Sequence, residues 1–205
     1  MTKKNNTNPY LADYFAKKAK KENFAARSAY KLEEIQKKHS LFKKGQRVLD
    51  LGAAPGSWSQ YAHRLVMPGG EVVGIDLKEI TIKLPGVTFF KADLLAQPIN
   101  QLLTQHELSH EPFDVVLSDM APNTSGVKFN DQMKSMELCE MALKIAIENL
   151  KPGGHFVCKL FHSDEFKSLK SQILENFKQF YAVKPHSTRS ISKEIFLVGL
   201  GRKSQ

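Results

Sequence analysis

The chain has 205 residues, 41% hydrophobic and 25% charged, which is ordinary for a globular protein and suits one domain that buries roughly 70% of its unfolded surface. Its two cysteines, Cys139 and Cys158, form no CxxC pair, which excludes a disulfide framework or a structural zinc site, and no apolar run approaches the ~18 residues of a membrane span. Residues 1–47 hold thirteen Lys and Arg against four Asp and Glu, so the whole net charge of +9 sits in the first quarter of the chain. The start, MTKKNNTNPY, lacks the apolar core of a signal peptide, so a cytoplasmic protein with no membrane partner is expected.

That charge points to a polyanion, because neutralising phosphates releases counterions. The competing reading is a lysine-rich face kept for solubility. The first eight residues should fray. Asn8-Pro9 then opens a helix with Tyr10, Leu11, Tyr14 and Phe15 on one side, and a second helix covers Ala26–Lys38. Lys17, Lys18, Lys20, Lys21 and Arg27 are the candidate RNA contacts of this basic prelude, residues 1–46. Beyond it, apolar runs at Val48–Leu51, Val72–Ile75, Val87–Phe90, Val115–Leu117 and Phe156–Leu160 read as buried parallel strands. Helical patterns at Trp58–Leu65, Ile99–Gln105, Met133–Asn149 and Phe166–Phe177 alternate with them. The pattern is an α/β, Rossmann-like, doubly wound sheet. It ends in two strands, Phe180–Lys184 and Ile195–Gly199, joined by a loop too short for a parallel crossover, so these pair antiparallel.

In such sheets a ligand binds at the carboxyl ends of the strands. The first strand runs into VLDLGAAPGSWSQ, residues 48–60, where Gly52 and Gly56 allow close backbone approach. The spacing is neither GxGxxG nor a P-loop, and Pro55, Ser57 and Trp58 crowd the place of a pyrophosphate. A smaller adenosine ligand fits better, and a nicotinamide oxidoreductase is disfavoured. Asp76 ends the second strand, where a carboxylate accepts from ribose hydroxyls. Asp93 follows the third and is placed either for the exocyclic amine of adenine or as a helix cap, and Asp50 either faces a positive group or caps its loop. One such aspartate alone is more often a cap than a ligand; three at successive strand ends favour a nucleoside.

VLDLGAAPGSWSQ, the acidic strand end at Asp76, FDVVLSDMAP at 113–122 and GGHFVCKLF at 153–161 together resemble the FtsJ/RrmJ family of S-adenosylmethionine-dependent ribosomal RNA 2'-O-ribose methyltransferases. The resemblance runs from about Ala25 to Lys203, with Ser57 where a second glycine is common and Ile191 where a basic residue often follows Arg189. It implies one methyltransferase domain over residues 1–205, acting as a monomer. S-adenosyl-L-methionine would lie on Asp50, Gly52, Pro55, Gly56, Trp58, Asp76, Asp93 and Asp119, with Arg189 among the RNA contacts. The family's K-D-K-E tetrad falls on Lys31, Asp119, Lys159 and Glu194.

Independently of the family, a lysine within Phe156–Phe161 is an odd choice, because a buried lysine is costly unless paired. The alternative is snorkelling to the sheet edge. Transfer to a ribose 2'-hydroxyl needs a base within hydrogen-bond reach. A lysine serves when burial and a second cation, here Lys31, favour its neutral form. Asp119 would hold Lys159 and Glu194 would orient the ribose or Lys31; no metal is required. Asn123 follows Pro122 where RNA cytosine-C5 enzymes carry a nucleophilic Cys, which excludes that chemistry. Trp58 and Phe161 are candidates to stack on a base, though core packing suits both better, and His162 and His186 are unassigned. The expected substrate is a uridine in the A-loop of large-subunit ribosomal RNA, within the large subunit. The alternatives are transfer RNA, or a catalytically silent ribosome-assembly factor, against which the intact tetrad argues.

Overall fold

The computed structural model describes residues 9–161, 166–188 and 192–204, with side chains of the first helix described from Asp13 onward. The first eight residues, His162, Arg189 and Ile191 lie outside the described residues. Two helices, α1 (Pro9–Lys21) and α2 (Ala29–His39), precede β1 (Arg47–Leu51), α3 (Ser57–Val66), β2 (Glu71–Asp76) and β3 (Val87–Lys91). Then come α4 (Ile99–Gln105), β4 (Phe113–Ser118), α5 (Lys128–Asn149), β5 (Leu150–Phe161), α6 (Lys167–Asn176), β6 (Phe177–Val183) and β7 (Glu194–Arg202). The strands form one seven-stranded sheet in the order β3-β2-β1-β4-β5-β7-β6. All pairs from β3 to β5 are parallel, and β7 inserts antiparallel between β5 and β6. This is the Rossmann-like sheet closed by an antiparallel hairpin that the apolar runs predict.

The central strands β1, β2 and β4 are largely apolar and buried because both faces are covered. Successive residues of β1 alternate between two cores: Val48 packs with Leu32, Ile35 and Trp58 of α2 and α3, while Leu49 and Leu51 pack with residues of α4, α5 and α6. A third cluster, Ala19, Phe24, Ala29 and Tyr30 with Phe15 and Tyr61, docks α1 on α2 and α3. Lys18 belongs to that dock. Its Nζ lies 4.3 Å from the Tyr30 ring centroid and 3.8 Å from both Glu22 and Glu33 carboxylates.

Several boundaries differ from the sequence pattern, β5 starting at Leu150 instead of Phe156 and α2 at Ala29 instead of Ala26, and two more have a local physical cause. Helix α5 starts at Lys128, five residues before Met133, because Asp131 in its first turn accepts from Ser125 N–H at 2.7 Å and Ser125 Oγ at 2.9 Å. Buried apolar periodicity begins only with Met136, so this turn carries no hydrophobic signal. Strand β6 starts at Phe177, whose fully buried ring also suits the end of a helical stripe. Among the described residues no helix is long and apolar enough to cross a membrane.

Candidate active site

A cleft of about 410 Å³ opens over the carboxyl ends of β1, β2, β3 and β4, within the range of small-ligand sites. Gly52 and Ala54 form one wall, Asp76 and Asp93 another, and Asp119 and Lys159 stand at the side nearer β5. Gly52 holds φ +72°, and a Cβ there would fall 2.6 Å from Met120 Cγ and 3.0 Å from Met120 backbone, so a side chain fits neither the turn nor the space. Asp76 is fixed by two backbone donors, Ala54 N–H to Oδ2 at 2.9 Å and Lys78 N–H to Oδ1 at 2.8 Å. Asp93 caps the next turn, its Oδ1 accepting from Leu95 N–H at 2.9 Å, and the residue also lines the cleft.

Several expected ligand positions lie off the cleft wall. Pro55 is exposed on the loop, and Gly56, at φ +103°, backs onto Ile82 and Phe89. Trp58 is a core residue: its ring packs on Phe196 at 5.5 Å and its Nε1–H donates to Ser28 O at 2.9 Å. Ser57 Oγ lies 2.7 Å from Ser28 Oγ, so the loop is tied to the start of α2. Asp50 is fully buried behind the loop, where Ser59 Oγ donates to its Oδ2 at 2.6 Å and Oδ1 has no partner among the described residues. Burial pushes its carboxyl up to about 7, against the pull of the Ser59 bond and with the Asp119 and Asp76 charges adding to the rise.

The four residues form two adjacent ion pairs, Lys159 with Asp119 on the cleft wall and Lys31 with Glu194 beside it. Lys159, only 6% exposed, donates from Nζ to the Asp119 carbonyl at 2.6 Å. Its Nζ also faces Asp119 Oδ1 at 2.9 Å, off the hydrogen-bond direction, so this contact is a charge pair and Oδ1 keeps an unmatched lone pair. Lys31 on α2 donates to Glu194 Oε2 at 2.6 Å and its Nζ lies 5.7 Å from the Phe196 ring centroid. Burial alone would raise the Glu194 carboxyl, but the Lys31 charge and hydrogen bond, then Lys159, outweigh it and hold the group below its ordinary range. The sequence pattern misses Glu34, one turn beyond Lys31. Its carboxylate accepts His186 N–H at 2.6 Å and Ser187 N–H at 2.8 Å, lashing the β6–β7 loop to α2. Those partners are over 150 residues away, so nothing local marks it. Of the basic contacts, Lys17, Lys20 and Lys21 are exposed, whereas Lys18 is turned into the α1 dock, and Arg27 is half-buried. Phe161 sits half-buried at the end of β5.

A doubly wound sheet closed by an antiparallel β7, with an acid-walled cleft over its first strands, defines a Rossmann-like methyltransferase fold. The chain belongs to the FtsJ-like methyltransferase family, whose sequence model matches residues 24–202. It is 54% identical over 191 residues to the ribosomal RNA large subunit methyltransferase E of Bdellovibrio bacteriovorus, covering 93% of this chain and 97% of that protein. The enzyme of the same description from Syntrophobacter fumaroxidans is 47% identical over 191 residues, covering 93% and 95%. A crystal structure described as a ribosomal RNA methyltransferase of Plasmodium falciparum superposes with a TM-score of 0.77 at 27% identity, covering 89% of this chain and all of that one.

Because Asp50 is held neutral to about pH 7 in the fold while an unfolded carboxyl ionises near 3.8, the native chain binds more protons between those values. The Asp50 contribution to stability therefore falls as pH rises from about 4 to about 7 and levels above it. Asp50→Asn keeps an acceptor for Ser59 and removes this dependence. Urea unfolding should show the variant gaining on the parent across that window, by on the order of a few kcal/mol at pH 8; a constant difference at all pH would contradict it.

Proposed function

We propose that the chain is an S-adenosylmethionine-dependent 2'-O-ribose methyltransferase acting on large-subunit ribosomal RNA, at a uridine of the A-loop. The observation that carries the reading is the pairing of Lys159 with Asp119 on the cleft wall, with the Lys31–Glu194 pair close enough for the Lys159 charge to act on Glu194. The curated relatives, named as enzymes of large-subunit ribosomal RNA, support the substrate class.

The cleft suits this cofactor chemically. Ile75, Ala92 and Leu94 offer apolar contact for a purine, and Asp76 is pre-organised for ribose hydroxyls. The carboxylates of Asp76, Asp93 and Asp119 favour a ligand bearing positive charge, and Asp119 Oδ1, held only by its charge pair with Lys159, keeps a lone pair unmatched. When bound, the cofactor supplies an electrophilic methyl group on a sulfonium.

The chain's own residues then handle the alcohol. A neutral lysine keeps two N–H groups and one lone pair. With one N–H of Lys159 donated to the Asp119 carbonyl, the amine is held so that its lone pair can accept the 2'-hydroxyl proton as the oxygen attacks. Glu194 stays ionised and offers Oε1 to a ribose hydroxyl, while Oε2 takes Lys31. Lys31, held by Glu194 Oε2, places a positive charge that offsets the charge the oxygen gains as it attacks. Most of the acceleration comes from placement of the oxygen. Exposed Lys17, Lys20 and Lys21 give the RNA backbone a positive flank.

Lys159→Met keeps the length of the side chain and cannot take a proton. Single-turnover methyl transfer at saturating RNA and cofactor should drop about 10²–10⁴-fold, with cofactor binding retained. Lys159→Arg should fail as well, because guanidinium stays protonated. Near-normal transfer by the Met variant would remove Lys159 as the base.

Reversing the charge of Lys17, Lys20 and Lys21 should weaken RNA binding and flatten its salt dependence by up to ~0.7–0.9 for each phosphate no longer neutralised, leaving cofactor affinity unchanged. An unchanged salt slope would make this a solubility face.

A further inference from the structure

The start of α5 overhangs the reacting edge of the sheet. Ser135 Oγ accepts from Phe161 N–H at 2.9 Å and Cys139 Sγ donates to Lys159 O at 2.9 Å, which aligns those two residues with the last turns of β5. Everything before Ser135 projects past the strand end. Phe129 is six residues ahead, about 9 Å further along the helix axis. It is 63% exposed, with Val127 at 53% and Met133 at 36% beside it. Lys128 and Lys134 are exposed in the same two turns. The overhang is braced: Asp131 holds Ser125 N–H and Oγ, and Val127 N–H donates to Ser125 Oγ at 3.2 Å.

The helical repeat says where this patch looks. Leu138 and Met141 of α5 line the cofactor cleft, over the β1–β3 half of the sheet. At 100° per residue, Phe129 lies roughly 180° round the helix from Leu138, away from the cleft, with Met133 about 40° from Phe129. An exposed aromatic interleaved with lysines, on a rigid support beyond the end of β5, has the chemistry of a base-stacking surface in single-strand recognition.

We propose that Phe129, with Met133 and flanked by Lys128 and Lys134, is a stacking platform for an unpaired RNA base next to the ribose that is methylated. The proposal rests on the RNA-methyltransferase reading and narrows it: the substrate presents its target in an unpaired segment, gripped by the lysines of α1 on one face of the sheet and by the Phe129 overhang on the other. A stacked base fixes the sugar without reading the base edge, which suits an enzyme whose chemistry is on the ribose.

The test uses the full chain and two RNA probes of equal length and charge, a hairpin with an unpaired loop and a fully paired duplex. Phe129→Ala should weaken the hairpin about tenfold to a hundredfold, leave duplex and cofactor binding unchanged, and keep the salt slope, since stacking releases no counterions. Phe129→Trp should bind the hairpin at least as well as the parent, and Phe129→Leu should resemble the Ala variant. Equal hairpin binding by parent and Ala variant would overturn the platform, as would equal losses on hairpin and duplex. An Ala variant normal on both RNAs but unable to bind whole large subunits would overturn it in favour of a protein contact. A parent that binds neither probe and methylates no ribosomal RNA would instead defeat the function reading itself.

Discussion

A lysine buried inside a β-strand sets the terms for this site. Removing an ammonium group from water costs several kcal/mol unless a counter-charge and hydrogen bonds replace the solvent. Asp119 supplies both from the adjacent strand end, through its main-chain carbonyl and its carboxylate. The antiparallel direction of β7 completes the arrangement. Lys159 pairs across the ladder with Phe196, and Phe161 with Glu194, so Lys159 and Glu194 are diagonal neighbours on one face of the sheet. A parallel β7 would begin at the opposite edge and carry Glu194 away. The reversal that ends the sheet is therefore what sets Glu194 beside Lys159.

The carboxyl groups around the cleft show how environment assigns roles. Asp50 and Glu194 both lose solvent, yet they shift in opposite directions. Asp50 has one hydroxyl donor and two carboxylates nearby, so its neutral form wins. Glu194 has a lysine at 2.6 Å and a second nearby, so its ionised form wins. The first is a structural acid behind the glycine loop; the second is a fixed anion paired with Lys31. Between them, Asp76 is clamped by two backbone N–H groups before any ligand arrives, which lowers the ordering cost of binding.

Much of this is legible in the sequence. Continuous apolar runs mark the parallel strands because both faces are covered, and the short last loop marks the antiparallel pair. Lys159 stands out as a cation where an apolar side chain belongs. Other features depend on distances the sequence does not carry. Trp58 reads as a ligand wall beside a glycine loop, but its indole turns to Ser28 and Phe196. Asp50 sits one strand position too deep to touch the cleft, and strand alternation points it at Ser59. Lys18 is one of several lysines until Tyr30 and Glu33 claim it. Glu34 is invisible because its partners are backbone N–H groups on the far side of the chain. The extended start of α5 is hidden because polar bonds to Asp131, and not apolar packing, hold it.

The central claim is that the tetrad delivers a methyl group to a ribose oxygen of large-subunit ribosomal RNA. A 2'-O-methyl group blocks alkaline cleavage of the adjoining phosphodiester, so the product can be located at single-nucleotide resolution. Alkaline mapping of large-subunit RNA, with and without incubation with the chain and S-adenosylmethionine, is the most direct test. The account predicts one new protected uridine, in the A-loop. Protection at no position, or a methyl group found on a base with every ribose left cleavable, would contradict it.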